Sequence, residues 1–359
     1  MSQRTALFFA LLSMTALAGV GCHHQQHVNK LPPAQMLMER TVALIRLDGV
    51  ERDAGAAATR RGHSGQCMQL TTMRRIDVHC HPNTVEWFNA INPYVEALRT
   101  YWHRPWAPLS EQQVIDELRA ADVQVLMVAF DTETVTGCPP CSNDYVAGLR
   151  DRHPDVVLNA WASVDPWKGE AAIKEAEHAI KDLGLIGFHF HPVCGNFSID
   201  DPRLRPLFEK INELGVPVLI DVGTTGMGAG TPGGLGRRLK MSRPMTALDD
   251  LAADFPQLKI IAAHPGWPWT DEVLMICLHK GNVFWETSGW GPEYFPESLK
   301  RDIPRRLKDK IMFGSDYPSL THKRLFEGWS KLGYADEVME NVFHSNAERI
   351  LNLELARRA

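Results

Sequence analysis

IDVHCH, residues 76–81, alternates apolar and polar side chains and is stopped by Pro82. Alternation with period two predicts a strand, with Asp77, His79 and His81 on one face and Ile76, Val78 and Cys80 on the other. Packing does not call for two imidazoles at adjacent positions of one face. Alone, the H-x-H pair reads equally well as two hydrated side chains at a strand end. It gains meaning only if later strands also end in acids and imidazoles.

Seven further β-rich runs follow: VQVLMVAF (123–130), VVLNAWASV (156–164), IGFHFH (186–191), VPVLIDV (216–222), KIIAAH (259–264), VFWET (283–287) and KIMFGSD (310–316). Between them lie helical patterns such as SEQQVIDELRAA, GEAAIKEAEHAIKDLG, LRPLFEKINELG, MTALDDLAADF and DEVLMICLHK. Eight β-then-α units predict an α/β fold, a (β/α)8 TIM barrel over residues 73–359. A doubly wound sheet would place a glycine-rich phosphate turn after the first strand, and HPNTVEWF is not one. Barrel chemistry sits at the C-terminal strand ends. Those ends carry His79 and His81, then His189 and His191, Asp221, His264 and Asp316. Nitrogen and carboxylate ligands converging from five strands point to a divalent metal site.

The rest of the chain sets limits. With 44% hydrophobic and 23% charged residues it has a globular composition, and a formal charge of −5 without a basic stripe argues against a nucleic-acid partner. MSQRTALFFALLSMTALAGVGC, residues 1–22, has Arg4 and then an uncharged apolar core, the layout of a signal peptide. Its end resembles a bacterial lipobox, with Gly19 where leucine is usual. The expectation is export to the periplasmic side of a membrane, with a lipid anchor on Cys22 as the only membrane contact. Ordinary signal cleavage is the other reading. Residues 23–72, with HHQQH, Pro32-Pro33 and DAGAAATRRGHSGQ, read as a tether. Among seven cysteines only Cys138 and Cys141 lie close, and an oxidising compartment would allow a local structural disulfide there.

The ordered set IDVHCHPN, SVDPWKG, GFHFHP, GVPVLIDVGTTG, DFPQLKIIAAHPGWPW, NVFWETSGW, IMFGSDYP and HSNAERIL, from about residue 74 to 353, resembles the amidohydrolase superfamily. The similarity is to its amidohydrolase-related branch, which includes aminocarboxymuconate-semialdehyde decarboxylase. The resemblance implies a metallo-dependent hydrolase type of barrel holding one divalent ion, zinc first, with manganese or iron as alternatives. It implies His79, His81 and Asp316 as ligands, with His264 and Asp316 as the catalytic acid and base. Two positions depart. VLIDVG stands where the family typically has VLFHTG, putting Asp221 at the strand 5 ligand position. GFHFHP stands where many members have GFKFHP, putting His189 in place of lysine. Asp221 could ligate directly, with His189 or His191 as a compensating ligand or as a hydrogen-bond partner behind it.

The expected function is a metal-dependent hydrolase or non-oxidative decarboxylase acting on a small carboxylic acid, ester or amide. The rival is a catalytically degenerate barrel kept as a membrane-anchored binding module. The expected partner is a small molecule, a carboxylate first, and a homodimer is a compatible assembly. Arg237 and Arg243 follow the glycine-rich loop GTTGMGAGTPGGLG and read either as cations on a lid over the substrate or as solvated charge. Trp267 and Trp290 follow strands 6 and 7 and read either as walls for a planar substrate or as packing.

Overall fold

A computed structural model describes residues 73–353. The expected signal peptide and the expected tether lie outside those residues. Eight strands appear where the β-rich runs predicted them: β1 (Ile76–Cys80), β2 (Gln124–Val128), β3 (Val157–Ala162), β4 (Gly187–Phe190), β5 (Val218–Asp221), β6 (Ile260–Ala263), β7 (Val283–Glu286) and β8 (Ile311–Met312). They pair in chain order, all parallel. Val78 N donates to Phe313 O (3.0 Å), Asp316 N to His79 O (2.9 Å) and His81 N to Tyr317 O (2.9 Å), which joins β8 to β1 and closes the barrel.

The helical layer follows the expected segments: α1 (Asn92–Tyr101), α2 (Glu111–Ala120), α3 (Asn143–Arg152), α4 (Glu170–Lys181), α5 (Arg205–Leu214), α6 (Ala247–Asp254), α7 (Thr270–His279), α8 (His322–Lys331) and α9 (Asn346–Leu351). Local chemistry sets their ends. Ser110 and Gln113 form a reciprocal capping box at the start of α2. Gly215, at φ 70°, ends α5 in the left-handed conformation that glycine adopts without a Cβ penalty. One face of each helix is apolar, as with Leu207, Phe208 and Ile211 on α5.

Inside the barrel, Ile76, Val78, Leu126, Val128, Trp161, Leu219, Ile261, Ala263 and Met312 form one buried cluster, with Ala347, Ile350 and Leu351 of α9 packed against it. Here β1 departs from strict alternation. Its register to β2 shifts between Asp77 and Cys80. An inserted residue reverses the phase of every side chain beyond it. Ile76, Val78 and His79 therefore all serve the interior, while Cys80 joins the larger cluster under the helices. Asp77 does not share a face with His79 and His81, which corrects the period-two expectation. It accepts from His79 N (3.0 Å), Ser315 N (2.9 Å), Ser315 Oγ and His322 Nε2 (2.8 Å), fastening β1 to the β8 loop and α8.

The last strand is shorter than its sequence run. Phe313 N bonds to Val342 O (2.8 Å), and Asp316 has φ 56°, so the chain leaves the ladder after Met312. Cys138 and Cys141 are free thiols, contrary to the disulfide expectation. Cys141 is buried and its backbone bridges to Phe130, while Cys138 turns toward Thr136 O.

Candidate metal centre

The strand ends bring the expected donors together. His81 Nε2 lies 3.2 Å from Asp316 Oδ1, and His79 Nε2 lies 3.9 Å from the same oxygen. Asp221 faces three imidazoles: Oδ1 is 3.0 Å from His189 Nε2 and 3.5 Å from His264 Nε2, and Oδ2 is 3.5 Å from His191 Nε2. Ligand sets His79–His81–Asp316, His79–His189–Asp221 and His79–His264–Glu286 overlap at His79. Ligands about 2.1 Å from a tetrahedral ion stand about 3.4 Å apart, and the donor spacings here match that. His79 Nε2, His81 Nδ1 and His189 Nδ1 are buried without a hydrogen-bond partner. Each orphaned buried polar atom costs on the order of 1–3 kcal/mol, and the bare His79 Nε2, 3.9 Å from Asp316 Oδ1, fits a cation. The residues present fit a divalent metal.

His264 and Asp316 both take left-handed backbone, at φ 68° and 56°. Outside glycine that conformation is uncommon and clusters at functional sites. It turns each side chain back over the mouth at the point where its strand ends. Electrostatics then separate the groups. Burial lowers the His264 imidazole, but Asp221, Asp316 and Glu286 outweigh it and push its pKa up to about 10. Burial wins at His191, which falls to about 4. Burial raises the Asp221 carboxyl, yet His189, His191 and His264 hold it well below the usual carboxylate range. The mouth thus offers anionic oxygens, a neutral imidazole and a protonated imidazole within one small volume.

Above the donors opens a cavity of about 690 Å³ whose lining includes His81, His191, Asp221, His264 and Asp316. Its walls are aromatic: Trp87, Tyr101, Trp102, Trp106, Phe130, Trp267, Trp290 and Tyr294. Trp267 and Trp290 both face it, 6.1 Å apart between ring centroids. Arg237 and Arg243 do not. Arg237 Nη1 donates to Cys194 O (3.1 Å), and Arg243 pairs with Glu272 at 2.7 Å. The cavity's cations are Arg104 and Arg324, which the sequence reading did not single out. Arg104 lies over Trp106 and Trp102 (5.0 and 5.6 Å to the ring centroids) and donates to Pro318 O. The glycine-rich loop after β5 is a packed wall. A Cβ on Gly226 would come within 2.9 Å of the Trp102 ring, and one on Gly230 within 2.9 Å of Tyr101. Glu286, which pairs with His79 Nδ1 at 2.9 Å, was also missed. Its signal was present, a carboxylate in phase with Phe284 at the end of β7.

A closed (β/α)8 barrel with imidazoles and carboxylates at its C-terminal mouth is the layout of a metal-dependent hydrolase-type barrel. The chain belongs to the amidohydrolase family, whose model matches residues 76–353. A sequence search of curated proteins finds no match. Solved structures share the fold. A TIM-barrel protein from Bordetella bronchiseptica is 23% identical with a TM-score of 0.64, covering 78% of this chain and 99% of its own. The 2,6-dihydroxybenzoate decarboxylase from Rhizobium is 17% identical with a TM-score of 0.59, covering 79% and 99%. A dihydroxybenzoic acid decarboxylase from Polaromonas, with bound manganese and the inhibitor 2-nitroresorcinol, is 17% identical with a TM-score of 0.56, covering 79% and 98%.

Proposed function

We propose that the protein is a metal-dependent enzyme that removes the carboxylate of a small planar aromatic acid without oxidation. The observation that carries this is the joining of a His/Asp donor cluster to an aromatic-walled cavity holding Arg104 and Arg324. Zinc and manganese are the candidate ions. The ion would sit among His79, His81, Asp221 and Asp316 and supply Lewis acidity at the floor of the cavity. The chain supplies the rest. Aromatic faces hold a flat ring by stacking, and Arg104, itself stacked on Trp106, meets an anionic group on that ring. Trp87 and Phe130, both buried, give the floor apolar walls. His264, whose Nε2 faces Asp221 and the cavity, delivers a proton to the ring carbon. The carbon–carbon bond to the carboxylate breaks, its electron pair stays on that carbon and takes the proton, and carbon dioxide leaves. The family membership and the hydroxybenzoate decarboxylases of the same fold support this choice.

Hydrolysis of an ester or amide is the second reading, favoured by the placing of His264 and Asp316 on either side of Gly289. A Cβ there would lie 3.1 Å from His264 Nδ1 and 3.2 Å from Asp316 Oδ2. A degenerate binding module has less support. Asp221 is ion-paired to imidazoles, which can turn to an ion. We also propose, for residues outside those described, export and lipid anchoring through Cys22.

The test is protein reconstituted with zinc or with manganese and offered hydroxybenzoates and small aryl esters and amides, with products separated by chromatography. Loss of one carboxylate to the corresponding arene is expected. Ester or amide hydrolysis with all carboxylates left intact would overturn decarboxylation in favour of the second reading.

A further inference from the structure

On the metal-centre reading proposed above, we infer that Glu286 is a positioning residue that sets the ring proton of His79, and so aims the bare nitrogen of His79 at the ion. Glu286 ends β7 and is fully buried. Its carboxylate accepts from His79 Nδ1 (2.9 Å), Ser288 N (2.6 Å) and Ser288 Oγ (2.8 Å). A carboxylate can only accept, so His79 Nδ1 must carry the hydrogen. The His79 lone pair is then on Nε2, the buried atom without a partner, 3.9 Å from Asp316 Oδ1.

Ser288 carries the same ordering one ring further. Its hydroxyl has one hydrogen, given to Glu286 Oε1. Toward His264 Nδ1, 2.8 Å away, it must therefore accept. The Ser288 carbonyl, 3.1 Å from that same nitrogen, also only accepts. His264 is thus protonated at Nδ1, which leaves Nε2 facing Asp221 and the cavity. The carboxylate orders the imidazole at the ion, and the Ser288 hydroxyl and carbonyl order the imidazole at the substrate.

The surrounding backbone is shaped to admit that carboxylate. A Cβ on Gly314 would fall 2.3 Å from Glu286 Oε2 and 2.9 Å from Ser288 Cβ. Any other residue at 314 would push the carboxylate out of place. A purely structural role would show differently from positioning. Breaking a buried charge pair destabilises a fold whatever its role, so the tautomer and the metal affinity, not the stability, separate the two. Removing the hydrogen-bond partner of a metal-ligating histidine typically weakens metal binding about 10- to 100-fold.

The experiment uses the full chain with ¹⁵N-labelled histidine, stripped of metal, and then titrated with Zn²⁺ against a chelating dye. Wild type is expected to show His79 and His264 protonated at Nδ1. Glu286→Gln is expected to lose that preference at His79 and to bind Zn²⁺ about 10- to 100-fold more weakly. Zn²⁺ affinity within twofold of wild type in folded Glu286→Gln would overturn the inference. So would a wild-type His79 protonated at Nε2. Should Glu286→Gln fail to fold, the wild-type spectrum and Ser288→Ala decide. That variant is expected to keep the His264 proton at Nδ1, on the Ser288 carbonyl, and to hold Zn²⁺ affinity within about threefold of wild type, because His79 keeps its carboxylate. A wild type that binds no Zn²⁺ overturns the metal centre itself, and the tautomers then report separately on what Glu286 orders.

Discussion

Asp221 is the residue at which this chain parts from its family's usual pattern, and its surroundings suggest how the change is accommodated. A carboxylate at the end of β5 sits among three imidazoles, and His189, where the family pattern has lysine, bonds to it directly at 3.0 Å. The two departures face each other across that contact. A nitrogen lost from β5 is matched by one gained on β4. Asp221→Ala should lower metal affinity at least about tenfold, while Asp221→His should retain the ion. Equilibrium metal titration of both variants checks this, and unchanged affinity in Asp221→Ala would remove Asp221 from the ligand set. Arg104 carries a second prediction. Arg104→Met keeps much of the stacking on Trp106 but loses the charge, so KM for an aromatic carboxylate should rise about 10- to 100-fold, with a smaller effect on kcat. At this scale the sequence was most informative about strand ends, where residue type and position coincide. Arg237 and Arg243 misled because charge beside a glycine-rich loop is a local signal, whereas the partner of Arg243, Glu272, lies in a later helix. Arg104 and Arg324 left no local trace. They reach the cavity from the insertion after β1 and from α8, and only the fold brings those together.

Among the elements, β1 shows best what periodicity can and cannot convey. Alternation identified the strand and placed both imidazoles inside, but a single inserted residue has no signature in composition, so Asp77 was assigned to the wrong face. Its actual bonds, to Ser315 and His322, close the barrel seam at β8. The segment before β8 carries a pH prediction. Asp302, at the end of the helix Glu297–Asp302, has a buried carboxylate bonded by Arg306 (2.6 and 2.8 Å) and Arg301 (2.7 Å), and Arg306 first, then Arg301, holds its pKa at about 2. Its pKa is lower folded than unfolded, so its contribution is complete above the ordinary carboxyl range, near pH 4, and is lost as pH falls through about 2. Both arginines are half in solvent, which limits the contribution to about 1–2 kcal/mol. Asp302→Asn should therefore lower the melting temperature at pH 7 by a few degrees and flatten its fall between pH 4 and pH 2. Thermal scans across that range read the difference directly. Equal acid sensitivity in the variant would assign the effect to other carboxylates.

The whole molecule was legible because a barrel repeats its signal. Eight short runs, each ambiguous alone, became decisive once acids and imidazoles recurred at their C-terminal ends in the order a closed parallel sheet requires. What the sequence could not supply was the third dimension of the mouth: the aromatic walls beyond Trp267 and Trp290, the packing of the glycine-rich loop, and the meeting of Glu286 with His79. These depend on side chains far apart in the chain meeting across a closed barrel. All of the functional account rests on one claim, that this mouth holds a divalent ion. The direct measurement is elemental analysis of the full chain, purified without chelators and then dialysed against zinc or manganese, beside a His79→Ala, His81→Ala double variant. About one ion per wild-type chain and near none in the variant is the predicted result. A folded wild-type chain that takes up neither ion, or a variant that binds as much as wild type, would contradict it.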